Sequence, residues 1–454
     1  MNGPYRVWVA AVLLVSAMIL GGGGTLNPRN EILLQLLYAA TFLALIAAYL
    51  RGPAGGGAST HRVPRMAWLL TILILALPVM QLVPLPPSIW QALPGREPLM
   101  VILAQIGEQD SWRPLSMTPD RTLASLLAMV PPVFLMLWLA GCEQFQRRQI
   151  VSLVAAVAAI SVALGALQMS SGEAGGWRLY QHTHMGFLVG FQASRNAQAT
   201  LLLIGLCALL PLGATLALRL GDRAGRLLHG GFALLLGTGI FLTGSRAGIV
   251  LLVVPAAIHL IAFHGAVRRI PVRIISAVIV GTGALFAIVA LWRPASVSKV
   301  LGRFSGTPEG RADLWADTWF AVTQTWPAGA GMGSFIPMFT AAERLEAVDP
   351  SYPVRAHNDW LEFTLEGGLP GLLVLGVIAA LLARLTLTGK PAFSAPSSEV
   401  SHASGLWLFA VGSLTVIALH SIVDYPFRSM SIACLGATAA ACLFPHKNPS
   451  RQTF

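Results

Sequence analysis

The sequence predicts an all-α, polytopic membrane protein of about twelve spanning helices, on three observations: its composition, a recurring series of apolar runs and the uneven placement of its basic residues. Of 454 residues, 55% are hydrophobic and only 11% charged, and the mean hydropathy is +0.69. Soluble domains carry about 25% charged residues, so the solvent around most of this chain is lipid. A net charge of +11 would point to nucleic acid in a soluble domain. Here the basic residues lie in short connections between apolar runs, where they set topology, and no nucleic-acid partner is expected.

A hydrocarbon core of about 30 Å needs about 20 apolar residues in a helix. Runs of suitable character cover residues 7–23, 32–50, 66–83, 123–140, 150–168, 197–218, 227–243, 249–263, 274–292, 360–382, 406–422 and 430–444. The first follows Arg6 like a signal-peptide core, but the glycines after it make a poor cleavage context, and it is expected to remain as the first helix. One set of connections carries Arg6, Arg51, Arg62, Arg65, Arg147, Arg148, Arg219, Arg223, Arg226, Arg268, Arg269, Arg273, Arg384, Lys390, Lys447 and Arg451 against only Glu143, Asp222 and Glu399. The positive-inside rule makes that side cytoplasmic and puts both termini there, in an inner membrane. Cys142, Cys207, Cys434 and Cys442 all fall inside or at the inner edge of apolar runs, so no disulfide is expected.

The chain therefore divides into helices one to nine over residues 1–292, a large external loop over 293–359, and helices ten to twelve over 360–454. External loops longer than about 12–15 residues are usually functional or disordered. Residues 84–122, 169–196 and above all 293–359 exceed that length. In the last, Leu314, Trp315, Trp319, Val322 and Trp326 recur at helical spacing, with Asp313, Asp317 and Gln324 off that stripe. Either a short helix lies in the membrane interface with its aromatics at headgroup depth, or a small external subdomain is built on a tryptophan core. No internal repeat or inverted symmetry is evident, which weakens a secondary transporter, and no charged group falls mid-span, where a lipid-linked glycan flippase or a transporter should need one.

The outer side offers no metal-ligand cluster, no phosphate-binding glycine loop and no local Ser/His/Asp arrangement, so neither metal nor cofactor is expected. It does offer His357, in Val354-Arg355-Ala356-His357-Asn358-Asp359, where the longest loop enters a membrane helix. A histidine there can act as a general base. A structural or capping role is the plainer alternative. Arg195 and Arg246 stand at helix mouths at matching depth. A charge inside a span costs roughly 2.5–3.5 kcal/mol, so each needs a partner: lipid phosphate reached by snorkelling, or a diphosphate held by forked hydrogen bonds. His420 and Asp424, one helical turn apart, read as a structural hydrogen bond rather than a second catalytic pair. His182 and His184 have no partner that spacing identifies.

At His357-Asn358, nine intervening residues and Gly368-Leu369-Pro370-Gly371 the chain resembles the O-antigen ligase family of bacterial envelope glycosyltransferases. Supporting segments are Thr243-Gly244-Ser245-Arg246-Ala247-Gly248, the stretch from Gly302-Arg303 to Trp319, Gly329-Ala330-Gly331-Met332-Gly333, and 420–426. The resemblance implies a metal-independent, inverting transfer of a glycan from undecaprenyl diphosphate to an acceptor hydroxyl on the periplasmic side. It implies that His357 is the base, that Arg246 and Arg195 contact the donor diphosphate, and that Asn358, Arg355, Arg311 and Arg303 complete the substrate-binding set. Lipid A-core is the expected acceptor. Repeat-unit polymerases and protein O-oligosaccharyltransferases of the same family use the same donor. Polymerases resemble each other in an arginine followed eleven residues on by glycine, whereas Val189, Leu206, Leu314, Val322 and Glu366 follow Arg178, Arg195, Arg303, Arg311 and Arg355 here. That favours the ligase.

Overall fold

A computed structural model describes residues 3–23, 29–51, 63–171, 176–267, 294–305, 311–348, 353–390 and 402–445, with the isolated residues 280 and 284. Among these, everything regular is helical except one short antiparallel pairing of Pro84–Leu85 with Arg113–Pro114. Among the described residues seven helices are long and apolar enough to cross a membrane, and four shorter apolar helices accompany them.

In chain order the helices are α1 (Gly3–Leu20), α2 (Arg29–Arg51), α3 (Arg65–Leu82), α4 (Pro87–Trp90), α5 (Glu97–Gln105), α6 (Pro119–Ala140), α7 (Gln144–Ser171), α8 (Arg195–Leu220) and α9 (Asp222–Leu242). Then come α10 (Arg246–Val250), α11 (Val253–Val267), α12 (Pro294–Ser305), α13 (Arg311–Thr325), α14 (Phe335–Ala342), α15 (Asp359–Thr388), α16 (His402–His420) and α17 (Met430–Leu443). Ten of the expected spans each overlap one of these helices, while the one expected over 274–292 lies outside the described residues except for residues 280 and 284. The run at 249–263 is divided between α10 and α11.

The most enclosed element is α8, whose residues from Ala197 to Leu210 are all buried. It packs against α7, α9 and α16. Small residues permit a close crossing of α7 and α8: a Cβ on Gly205 would stand 2.7 Å from Ala158 Cβ. At the opposite end of the bundle from the long connections, Arg147 is buried and donates to Leu139 O (3.0 Å), Ala140 O (2.7 Å), Cys142 O (3.1 Å) and Phe444 O (2.8 Å). Carbonyls at helix ends have no partner within their own helix, and one guanidinium here closes the ends of α6 and α17 together. An arginine expected only to mark topology is thus also a structural cap. The four cysteines are free thiols.

The tryptophan stripe of α13 does not form a core. Asp317, Thr318, Ala321, Val322 and Thr325 are its buried face, while Trp319 and Trp326 are exposed. Ala321 and Val322 pack with Phe335, Phe339, Ala356 and Leu365, so two phenylalanines of α14 supply the bulk that a tryptophan core was expected to supply. Asp317, read as off the packed stripe, is buried because Arg344 Nε meets it at 2.6 Å.

Candidate active site

The entry of α15 sets the geometry. Asn358 is its N-cap, with backbone φ −160° and Oδ1 accepting from Leu361 N at 3.1 Å, which satisfies one of the free amides of the first turn. His357, immediately before the cap, has φ +49°, an uncommon conformation for a residue other than glycine. That turn, together with the Trp315 Nε1 bond to Ala356 O at 2.9 Å, points the imidazole toward the turn that follows α16. There His357 Nδ1 meets Asp424 Oδ1 at 2.9 Å, and the ring stands edge-on to Tyr425 with centroids 4.9 Å apart. The Asp424 side chain is 5% exposed and that of His357 37%. A carboxylate facing Nδ1 favours the tautomer that carries its proton there, which leaves Nε2 as a proton acceptor on the exposed side. Burial pushes the Asp424 carboxyl up, but the His357 hydrogen bond and the charges of His420, His357 and Arg311 outweigh it and hold the group below its ordinary value.

This pairing corrects the sequence-based expectation for the second histidine. His420 Nδ1 meets Thr200 Oγ1 at 2.7 Å, and the hydrogen bond between His420 and Asp424 is a backbone one, Asp424 N to His420 O at 2.9 Å. Helix α16 ends with His420 turned inward against α8, leaving Asp424, in the next turn, to face His357.

The glycine–proline part of the motif shapes α15 rather than the chemistry. Pro370 has no N–H for Glu366 O, and Gly368 breaks the helix at φ +56°, ψ −156°. The carbonyls so released are taken up from outside: Leu365 O accepts from Ala330 N, and Glu366 O from Gly331 N, each at 2.9 Å, with Gln81 Nε2 also on Glu366 O at 2.9 Å. Leu369 N turns to Pro327 O at 2.9 Å. Only glycine fits the crossing, since a Cβ on Gly368 would lie 2.4 Å from Pro327 O and one on Gly331 would lie 2.3 Å from Ser116 Oγ. The run Gly329-Ala330-Gly331-Met332-Gly333 is therefore the strap that closes the kink.

Arg195, Asn196, Gly244, Arg246, Ala247, Arg303, Arg311 and Val423 line a cavity of about 500 Å³, counting the solvent space at its mouth. Four guanidiniums thus converge from the start of α8, the start of α10, the end of α12 and the start of α13. No carboxylate lines the cavity among the described residues. Arg246 donates through Nε at 2.8 Å and through Nη2 to Arg303 O, which closes the last turn of α12. Arg311 Nη1 donates to Val423 O at 2.6 Å, tying α13 to the turn whose next residue is Asp424. Arg195 lies over the Phe187 ring with Cζ 4.8 Å from the centroid, and Lys299 reaches the same ring at 5.5 Å. A cation over an aromatic face is attracted by the ring, which holds both side chains in place.

Of the residues expected from sequence, Arg195, Arg246, Arg303 and Arg311 come together, and His357 adjoins them through Val423–Asp424. Asn358 and Arg355 do not line the cavity: Asn358 caps α15, and Arg355 Nη1 pairs with Glu362 Oε1 at 3.0 Å. His184, without an assigned partner from spacing, donates its N–H to Ala193 O at 3.4 Å and lies within electrostatic reach of Arg195, His357 and Asp424. Sequence reasoning also missed a buried charged face on α15. Asp359, Glu362 and Glu366 are all enclosed, and Arg428 meets them at 3.6, 3.2 and 2.7 Å respectively. Their spacing of three and four at the head of an apolar helix was the available signal.

Residues 231–376 match the family model described as O-Antigen ligase. No curated protein matches the chain. The matched segment contains Arg246, Arg303, Arg311, His357 and the kink at Gly368, and ends before the turn that carries Asp424.

Proposed function

We propose that the chain, whose residues 231–376 match the O-Antigen ligase family model, is a periplasm-facing glycosyltransferase of the inner membrane. It moves a glycan from undecaprenyl diphosphate to an acceptor hydroxyl, and the favoured acceptor is lipid A-core. The observation that carries this is the adjacency of an imidazole–carboxylate pair, His357 and Asp424, to a cavity lined by four arginines.

In the reaction the acceptor oxygen attacks the anomeric carbon from the face opposite the diphosphate, and the bond from that carbon to the phosphate oxygen breaks with inversion. His357 Nε2 takes the hydroxyl proton, and Asp424 stabilises the imidazolium that forms. The leaving diphosphate gains negative charge, and Arg195, Arg246, Arg303 and Arg311, already in place, stabilise it in the transition state. Each charge-assisted hydrogen bond contributes about 1.5–3 kcal/mol. Arg246 and Arg311 also hold the ends of α12 and α13, so the same side chains that meet the donor keep the roof of the cavity in place.

The test is His357→Ala in a strain that depends on this protein. Loss of the glycoconjugate with normal amounts of the protein supports the reading, and wild-type product sinks it. Envelope glycolipids from a deletion strain then separate the family's reactions on a gel. Bare lipid A-core with polymer left on undecaprenyl diphosphate means ligase, core with a single repeat unit means polymerase, and unchanged lipopolysaccharide with an unglycosylated protein means protein glycosylation.

A further inference from the structure

Glycosyl transfer by the His357–Asp424 pair requires two separate stretches of chain to stay in register: the N-cap of α15 and the turn after α16. The contacts between them are concentrated on two residues that flank the pair. Asp359, two residues after His357, donates its backbone N–H to Ser421 O at 2.9 Å and to Asp424 O at 3.2 Å. Its Oδ2 accepts from Ser421 Oγ and from Phe427 N, each at 3.1 Å. Arg428, four residues after Asp424, closes the other flank, with Nη2 2.7 Å from Glu366 Oε2 and 3.2 Å from Glu362 Oε1, and Nε 3.6 Å from Asp359 Oδ1. Glu362 is fixed in turn by Arg355 Nη1 at 3.0 Å and, through its Oε2, by Ala356 N at 3.0 Å, the residue directly before His357.

We infer that Asp359 and Arg428 are positioning residues for the reaction, clamping the carboxylate of Asp424 onto the imidazole of His357. The inference rests on the glycosyl-transfer reading above. Burial works against the Arg428 charge, yet Glu362, Glu366 and Asp359 more than offset it and raise its pKa, so the fork stays cationic. Buried ion networks are poor devices for stability, because desolvation cancels most of their attraction, but they can select one arrangement out of several. Three buried carboxylates and two guanidiniums around a single turn fit that second use. The turn they select is the one that aims Asp424. A catalytic pair tolerates little displacement: about 1 Å of misplacement costs about 100-fold in rate.

The experiment is a kinetic cycle on the full chain reconstituted in lipid, with a lipid diphosphate-linked glycan as donor. Arg428→Lys keeps the charge but cannot fork between Glu362 and Glu366. It is expected to lower kcat about 10- to 100-fold while leaving the donor KM within about twofold. In an Asp424→Asn background the same change is expected to cost less than about threefold, because there is no longer an aligned carboxylate to lose. Asp359→Asn, which keeps the side-chain volume, carries the same cycle where Arg428→Lys does not give a monodisperse protein. Equal fold losses in both backgrounds, a rise in KM at constant kcat, or no loss at all would overturn the inference. Retained transfer in His357→Ala would instead defeat the reading of the reaction, whereas an inactive His357→Ala together with an additive cycle defeats only the positioning role.

Discussion

Replacing Asp424 by asparagine removes a charge and one acceptor while keeping the shape of the side chain. The bond it makes to His357 is 2.9 Å long and the carboxylate is 5% exposed, so solvent screens it little. A hydrogen bond to a charged group contributes about 1.5–3 kcal/mol, which at 1.36 kcal/mol per tenfold is about 10- to 150-fold in rate. The amide adds a further effect: its NH2 can donate to Nδ1 and favour the tautomer with the proton on Nε2, the nitrogen required as base. The expected outcome is therefore a loss toward the upper end, about 100-fold in kcat, with the donor KM changed by less than about twofold because no cavity arginine is altered. The assay is transfer by purified protein in lipid, with product separated from the lipid-linked donor on a gel and initial rates taken over a donor series. A kcat within about threefold of wild type, in a preparation where His357→Ala is inactive, would refute the assignment of Asp424 as the partner of the base.

Arg246→Ala should abolish donor-dependent transfer, and Arg246→Lys should recover only part of it, since an ammonium cannot make the forked contact now made to Arg303 O; equal activity of Arg246→Lys and wild type would count against it. Gly368→Ala should cost about 3 kcal/mol or more, from a φ of +56° and a Cβ 2.4 Å from Pro327 O. A thermal-shift measurement in detergent would show a lowered Tm, and an unchanged Tm would contradict the kink. Because Asp424 is held below its ordinary value of 3.8, the stability it contributes is complete above that value and lost as pH falls through the lower folded value. The Tm difference between wild type and Asp424→Asn should thus persist from pH 7 to 5 and vanish only below about 4; a difference already lost at pH 5 would contradict the depressed value.

Much of the candidate site was legible in the chain as isolated residues. His357 stood out because it sits where a long polar connection meets an apolar run, and Arg195 and Arg246 because they are cations at helix mouths, whereas Arg303 and Arg311 entered only with the family resemblance. What spacing did not reveal was which of them meet. Asn358 and Arg355, adjacent to the histidine, read as substrate contacts. They are instead a helix cap and half of an ion pair, since the first turn of α15 has amides and buried carboxylates of its own to satisfy. Asp424 was paired with His420 on helical periodicity, which fails because the helix ends at His420 and the following turn is free to point elsewhere. The tryptophans of α13 were read as one face, but burial there follows the ion pair of Asp317 and the two phenylalanines of α14.

By itself the sequence determined that the chain is helical and apolar enough to enter a membrane, because those properties are sums over local composition and do not depend on which helix neighbours which. The kink in α15 was not read from the run 360–382, although its causes, a proline without an N–H and a glycine two residues before it, lie within a single turn. Only the tertiary structure decided that His357 meets Asp424 across 67 residues of sequence, and that four arginines from four different helices face one cavity. The physical reason is that hydropathy and backbone propensity act along the chain, whereas the partner of a charged side chain is set by helix packing, which brings the required counter-group within about 3 Å wherever along the chain it lies.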